Sequence, residues 1–212
     1  MSWFELDPAS LAVRMKSGPS EPAPTLASHA LRGMTGFTIV SVAGFAPWAL
    51  GGKWFHQTVG EVGMYIACAV VFIGLSGPLL HKLIFGGGLT RFYKLFGIAF
   101  TLYAVAWIAG WMKLRGHIGG LVGLFAGTAL MGLVLAIAFD ALGAAIRVIL
   151  VLFVLNAAGY FAGGVVEGWV AHSHMTVAML LWGVCYGLGF GAGLGMAFYF
   201  CQEKALRIPP GS

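Results

Sequence analysis

The fold class this sequence predicts is all-α and polytopic: a bundle of six transmembrane helices with both termini in the cytoplasm. Three observations predict it. Hydrophobic residues make up 59% of the 212 and charged residues only 9%, against about 45–50% and about 25% in soluble domains. Six apolar runs, at residues 33–52, 62–80, 95–112, 118–139, 148–166 and 175–200, are each about long enough to cross a hydrocarbon core of about 30 Å. The basic residues fall unevenly between those runs. Arg14, Lys16, Arg32, Lys82, Arg91, Lys94, Arg147, Lys204 and Arg207 lie on the side of the termini, against Lys53, Lys113 and Arg115 on the other. The positive-inside rule then puts both termini in the cytoplasm, which requires an even number of spans.

Residues 1–32 carry Pro8, Pro19, Pro22 and Pro24. The run SGPSEPAP has the composition of a linker, and no long apolar core follows a basic start, so no cleavable signal peptide is expected. The segment MSWFELDPASLAVRM predicts either a flexible tail or an interfacial stretch laying Trp3, Phe4 and Leu11 on the membrane surface. The transmembrane domain occupies residues 33–200, with no second domain, and residues 201–212 are expected as a cytoplasmic tail. Connections are short, so sequential helices should be antiparallel. Pro47 lies inside the first span; Pro78 lies near the end of the second, where ending that helix is the simpler reading.

The fourth span carries Gly119, Gly123 and Gly127, and the sixth carries Gly183, Gly187, Gly191 and Gly195, with Gly189 and Gly193 beside them. A four-residue repeat stacks these glycines on one helix face, a glycine zipper that lets a second backbone approach closely. The groove receives a helix of the same chain, a helix across a homo-oligomer seam, or a lipid lying against the bare backbone. The fifth span adds Asn156, Gly159 and Gly163.

Net charge of +5 does not signal nucleic-acid binding, because the basic residues sit in loops between apolar runs. Cys68, Cys185 and Cys201 form no CxxC pair and read as packing residues. No paired carboxylates, metal cluster or activated nucleophile lies within a span, so the chain is not expected to be an enzyme and no cofactor is implied. His56, His117, His172 and His174 all fall on the non-cytoplasmic side, which keeps a metal or small-solute transporter as the alternative. An accessory subunit of a larger membrane complex is another alternative. Asn156 is the clearest intramembrane polar side chain, suited to an interhelical hydrogen bond or to a ligand.

From Leu31 to Glu203 the chain resembles the Insig family. The landmarks are Leu31-Arg32-Gly33 at the start of the first span, Gly74-Leu75 with Pro78, Phe139-Asp140 followed by Arg147, Asn156 with Gly159-Tyr160, and the glycine-rich last span running from Ala197 to Glu203. The resemblance implies a central pocket open to the membrane that accepts a lipid: a sterol in animal members, a diacylglycerol-like lipid in a bacterial one. It also implies regulation or scaffolding of other membrane proteins, with Asp140 at the position that matters for partner binding, and a homotrimer as in bacterial relatives. Two departures favour the bacterial type: TLYAVAWIAGWM replaces a polar stretch of the third helix, and the second span lacks a cysteine-rich start. The expected compartment is a bacterial cytoplasmic membrane, where eukaryotic relatives occupy the endoplasmic reticulum. Asn156, Thr128 and Tyr160 are the expected polar anchors for the lipid, with Gly159 giving room.

Overall fold

Each connection between the long helices is too short for anything but an antiparallel neighbour. The computed structural model describes residues 4–17 and 24–208. Within them α1 (Pro8–Ser17) precedes six long helices: α2 (Leu26–Thr58), α3 (Gly60–Leu80), α4 (Leu89–Leu114), α5 (Gly116–Ala138), α6 (Ala145–Val170) and α7 (Met175–Leu206). Six segments are long and apolar enough to cross a membrane. Val59 alone separates α2 from α3 and Arg115 alone separates α4 from α5. The α3–α4 connection turns on Gly86, Gly87 and Gly88, all with φ between 70° and 134°, a region that favours glycine.

The helices close a ring in the order α2, α3, α4, α5, α6, α7, with α3 against α4 the sparsest seam and α7 wedged between α2 and α6. That wedge explains the last span's glycines. A Cβ on Gly187 would lie 2.6 Å from the Thr38 Cα, and one on Gly191 or Gly195 would strike the carbonyl oxygen of Gly33 or His29. The other face of α7 meets α6: a Cβ on Gly193 would be 3.3 Å from the Leu152 Cα, and Gly189 packs against Gly159. On α5, Gly123 and Gly127 accept the backbone of α4 at Trp107 and Tyr103, and Gly119 that at Gly110. These stripes are occupied within one chain, so an oligomer would have to use other surfaces.

Aromatic rings fill the ring of helices. Phe92, Phe96, Phe100 and Tyr103 descend one face of α4 with successive centroids 5.1, 5.2 and 5.8 Å apart. The column continues through Phe190 to Tyr186 and Trp182 on α7. Pro78 lies in the last turn of α3. It leaves the Gly74 carbonyl without its usual intrahelical donor, and Tyr93 of α4 supplies one from its hydroxyl at 2.6 Å.

Two expectations for the tails are corrected. Residues 8–17 form a helix rather than a floppy tail, and Leu11, expected to face the membrane surface, is instead fully buried with Leu6 against the base of the bundle. Their apolar side chains find a packed site at the end of α7, and Glu5 pairs with Arg91 at 2.6 Å. Phe4 is half-buried and packs on the core, whereas Trp3 and residues 18–23, which include Pro19 and Pro22, lie outside the described residues. At the other terminus α7 continues to Leu206, with Cys201, Gln202 and Ala205 buried, so the tail begins later than residue 201. Gln202 explains why: its amide accepts from the Phe85 N–H at 2.7 Å and donates to the Leu83 carbonyl at 2.8 Å, tying α7 to the α3–α4 connection. At the other end of the N-terminal segment, α2 begins at Leu26, seven residues before the apolar run, because Thr25 and Ser28 cap its first turn reciprocally.

Candidate functional site

Three polar side chains from three helices meet inside the bundle. Asn156 on α6 is fully buried, and its Nδ2 donates to the Tyr103 hydroxyl on α4 at 2.9 Å. That hydroxyl is 3.1 Å from the hydroxyl of Tyr186 on α7. Three helices thus share one chain of side-chain hydrogen bonds in an otherwise apolar core. The other end of the Asn156 amide, Oδ1, is buried and has no partner among the described residues. An amide group left unpaired in an apolar interior costs about 1–3 kcal/mol.

One helical turn away from this floor, toward the end of the bundle opposite the termini, stand Trp107, Tyr160 and Trp182. Each is four residues from a member of the floor, so each lies on the same helix face. Tyr160 touches both tryptophan rings, with centroids 6.2 Å from Trp107 and 5.3 Å from Trp182, and Phe45 of α2 closes against Trp182 at 4.9 Å. The floor residues are buried while these four are only half-buried. The result is a cup-like cluster of half-buried aromatic rings, packed on one another over a polar floor. The indole N–H of Trp107 is itself buried and without a partner among the described residues, on a side chain one turn along α4 from Tyr103, which accepts from Asn156.

The residues expected to hold a ligand are not all brought together. Asn156 and Tyr160 line this cup. Thr128 does not: its hydroxyl is buried and bonds back to the Leu124 carbonyl of its own helix at 2.7 Å, as threonine commonly does inside helices. Gly159 gives no room either, because a Cβ there would lie 2.6 Å from the Cys185 carbonyl oxygen and 3.0 Å from the Gly189 Cα. Its role is contact between α6 and α7. Gly163 similarly accepts the edge of Trp182. The sequence reading passed over Trp107, Tyr103 and Tyr186; the signal for them was their spacing of four along helices that also carry small-residue faces.

Asp140 is exposed at the end of the bundle that holds the termini, in a left-handed conformation with φ 51° between α5 and α6. Its backbone carbonyl accepts from the Lys204 ammonium at 3.0 Å. His56, His117, His172 and His174 are all exposed at the opposite end. Among the described residues no three His, Cys, Asp or Glu side chains come together as a metal site; His56 and His117 lie on α2 and α5, and His172 and His174 share the turn before α7. No protein-family model, curated protein or solved structure matches this chain.

Proposed function

We propose that this protein is a non-enzymatic lipid-binding membrane protein of the Insig type, holding a neutral, hydroxyl-bearing lipid in the aromatic cup and acting as a regulator or scaffold of other membrane proteins. The unpaired end of the buried Asn156 amide carries the reading. Apolar walls alone gain little over surrounding lipid, since an acyl chain already sits in hydrocarbon. A polar anchor inside the bundle is what would make binding selective. A lipid hydroxyl pairs with an amide whichever end of it is free, because a hydroxyl both donates and accepts.

The second orphan narrows the ligand class. The Trp107 indole can only donate, and a diacylglycerol-like lipid offers ester carbonyls as acceptors one short span from its hydroxyl. A sterol has one oxygen for both roles, whereas a diacylglycerol-like lipid presents its donor and its acceptors on separate atoms. A diacylglycerol-like ligand is the class favoured in this reading, in agreement with the bacterial-type resemblance. In this reading the termini face the cytoplasm of a bacterial cell, Asp140 is the exposed point for a partner protein, and a homotrimer would assemble through faces other than the glycine stripes.

Native mass spectrometry of the full chain in mild detergent tests the reading. About one neutral lipid per chain is expected to remain bound, and Asn156→Leu, which keeps the side-chain volume and removes the amide, should reduce its occupancy about tenfold, the order of one lost buried hydrogen-bonded group. A helical melting profile near that of the unaltered protein shows that the bundle persists. Unchanged lipid content in Asn156→Leu, or an empty protein to begin with, refutes the assignment.

A further inference from the structure

A second lipid-facing feature lies outside the cup, on the outer surface where α6 and α7 meet near the termini. A groove of about 710 Å³ runs there, with Arg147 and Phe200 at its mouth and Leu150, Val154, Leu155 and Met196 along its length. From Arg147 to Leu155 is eight residues, so the groove reaches about 12 Å into the bilayer at the helical rise of about 1.5 Å per residue. Leu150 and Val154 are 52% and 57% exposed, so this wall is covered by something apolar in a membrane.

The mouth holds an ion pair whose guanidinium is largely exposed. The Arg147 guanidinium lies over the Phe200 ring, 3.5 Å from its centroid, and its Nη1 reaches Glu203 at 3.2 Å. Both contacts fix the plane of the guanidinium. The Arg147 side chain is nevertheless 56% exposed, and its Nε–H and Nη2 groups have no hydrogen-bond partner among the described residues. Lys204, next to Glu203 in the chain, is anchored on the Asp140 carbonyl. An oriented guanidinium with free N–H groups is suited to a phosphate diester, which it can grip with two parallel hydrogen bonds.

We infer that the α6–α7 groove is a binding site for an anionic glycerophospholipid, with the headgroup phosphate on the free N–H groups of Arg147 and one acyl chain along Leu150, Val154 and Met196. The site is independent of the aromatic cup. It takes a charged lipid at the membrane surface, whereas the cup takes a neutral one in the interior. Its consequence is an anchor that holds the α6–α7 pair, and with it the exposed Asp140 turn, at a fixed depth in the leaflet on the termini side.

The test is native mass spectrometry of the full chain in detergent, titrated with phosphatidylglycerol or with phosphatidylcholine of the same acyl chains. The unaltered protein should prefer phosphatidylglycerol about fivefold, the scale of one basic residue at an anionic surface. Arg147→Gln should lower affinity for both lipids, since both carry the phosphate diester that the guanidinium grips, and should bring the two affinities together through the larger loss for phosphatidylglycerol. Val154→Trp, which fills the groove below the headgroup, should lower occupancy by both lipids severalfold. Equal affinities in the unaltered protein, or a preference that survives Arg147→Gln, overturn the proposal. So does a dimer or trimer whose formation excludes both lipids, since the groove would then be a seam between copies. Asn156→Leu should leave the phosphatidylglycerol preference unchanged, so failure at this groove and failure at the cup are read separately.

Discussion

The two ends of the bundle are built differently. At the end that holds the termini, α1 lies across the base and the α3–α4 connection folds inward: Leu6, Leu11, Leu83, Phe85, Phe139 and Cys201 are all buried. At the opposite end Leu50, Trp54, Val62, Met112, Ile118 and Trp169 face outward, and the histidines and remaining basic residues decorate single-residue or short turns. The difference teaches where binding energy for the fold resides. The base is closed by tertiary contacts between segments distant in sequence, while the far end relies on helix pairs alone and leaves the aromatic cup half-buried.

The α2–α7 seam runs the length of this gradient, so one substitution placed at its two ends should give opposite results. Near the termini a Cβ on Gly195 would collide with the His29 backbone carbonyl, which cannot rotate away. At the far end a Cβ on Gly183 would be 3.2 Å from the Phe45 ring edge, which can. Gly195→Ala should therefore destabilise by roughly 3 kcal/mol through forced separation of two helices. Gly183→Ala should fall within about 1 kcal/mol of the unaltered protein, since alanine recovers about 1 kcal/mol of helix propensity. Thermal melts in the same detergent decide it. Equal losses at both positions would show that the seam is uniform and that the gradient stops at the loops.

How much of this was open to a reading of the chain follows from the range of each interaction. The zipper glycines are legible because a helix face is set by local spacing, and Asn156 because it is a lone amide in an apolar run. Their partners are not: nothing local states that Tyr103 on α4 meets Asn156 on α6 and Tyr186 on α7, since that meeting depends on ring order. Thr128 was misread as an anchor because sequence does not reveal that its hydroxyl is satisfied one turn back. Gly159 was misread as space because an absent side chain looks the same whether lipid or backbone fills the gap. The base was least legible of all. Leu6 and Leu11 are isolated apolar residues in a polar, proline-bearing segment, and Gln202 looks like the first residue of a tail until the inward fold of residues 83–85 supplies its partners.

Gln202 permits a sharper test of the closed base. Gln202→Leu preserves volume but strips the Phe85 N–H and the Leu83 carbonyl of their side-chain partner. Buried backbone groups left unpaired cost about 1–3 kcal/mol each, so the variant should lose about 2 kcal/mol and show faster amide exchange in residues 83–88 while the α4 and α5 amides near Gly110 and Gly123 keep theirs. Faster exchange spread evenly over both ends would mean that the base is not a separate unit.

The smallest effect concerns how α1 is held. Its apolar contacts, Leu6 and Leu11, do not titrate, but two carboxylates do. Glu5 is held below the usual glutamate range by its hydrogen bond to Arg91 and then by that residue's charge, and Asp7 is lowered by the bonds it accepts from Ser10, at 3.0 Å from the backbone N–H and 2.7 Å from the hydroxyl. A carboxyl whose pKa falls on folding contributes in full above its unfolded value, about 4 for these residues, and that contribution is lost as pH drops through the lower folded value. Docking of α1 should therefore be constant from pH 7 to about pH 5 and weaken below about pH 4. Arg91→Gln should raise α1 amide exchange slightly at neutral pH and remove the share of the acid step that belongs to Glu5, leaving the share from the Asp7 cap. Because the Glu5 pair is exposed and screened by salt, the change should shrink as ionic strength rises. If α1 exchange ignores pH, salt and Arg91→Gln alike, the closed base is held by Leu6 and Leu11 alone, and the difference between the two ends is a matter of apolar packing without an electrostatic component.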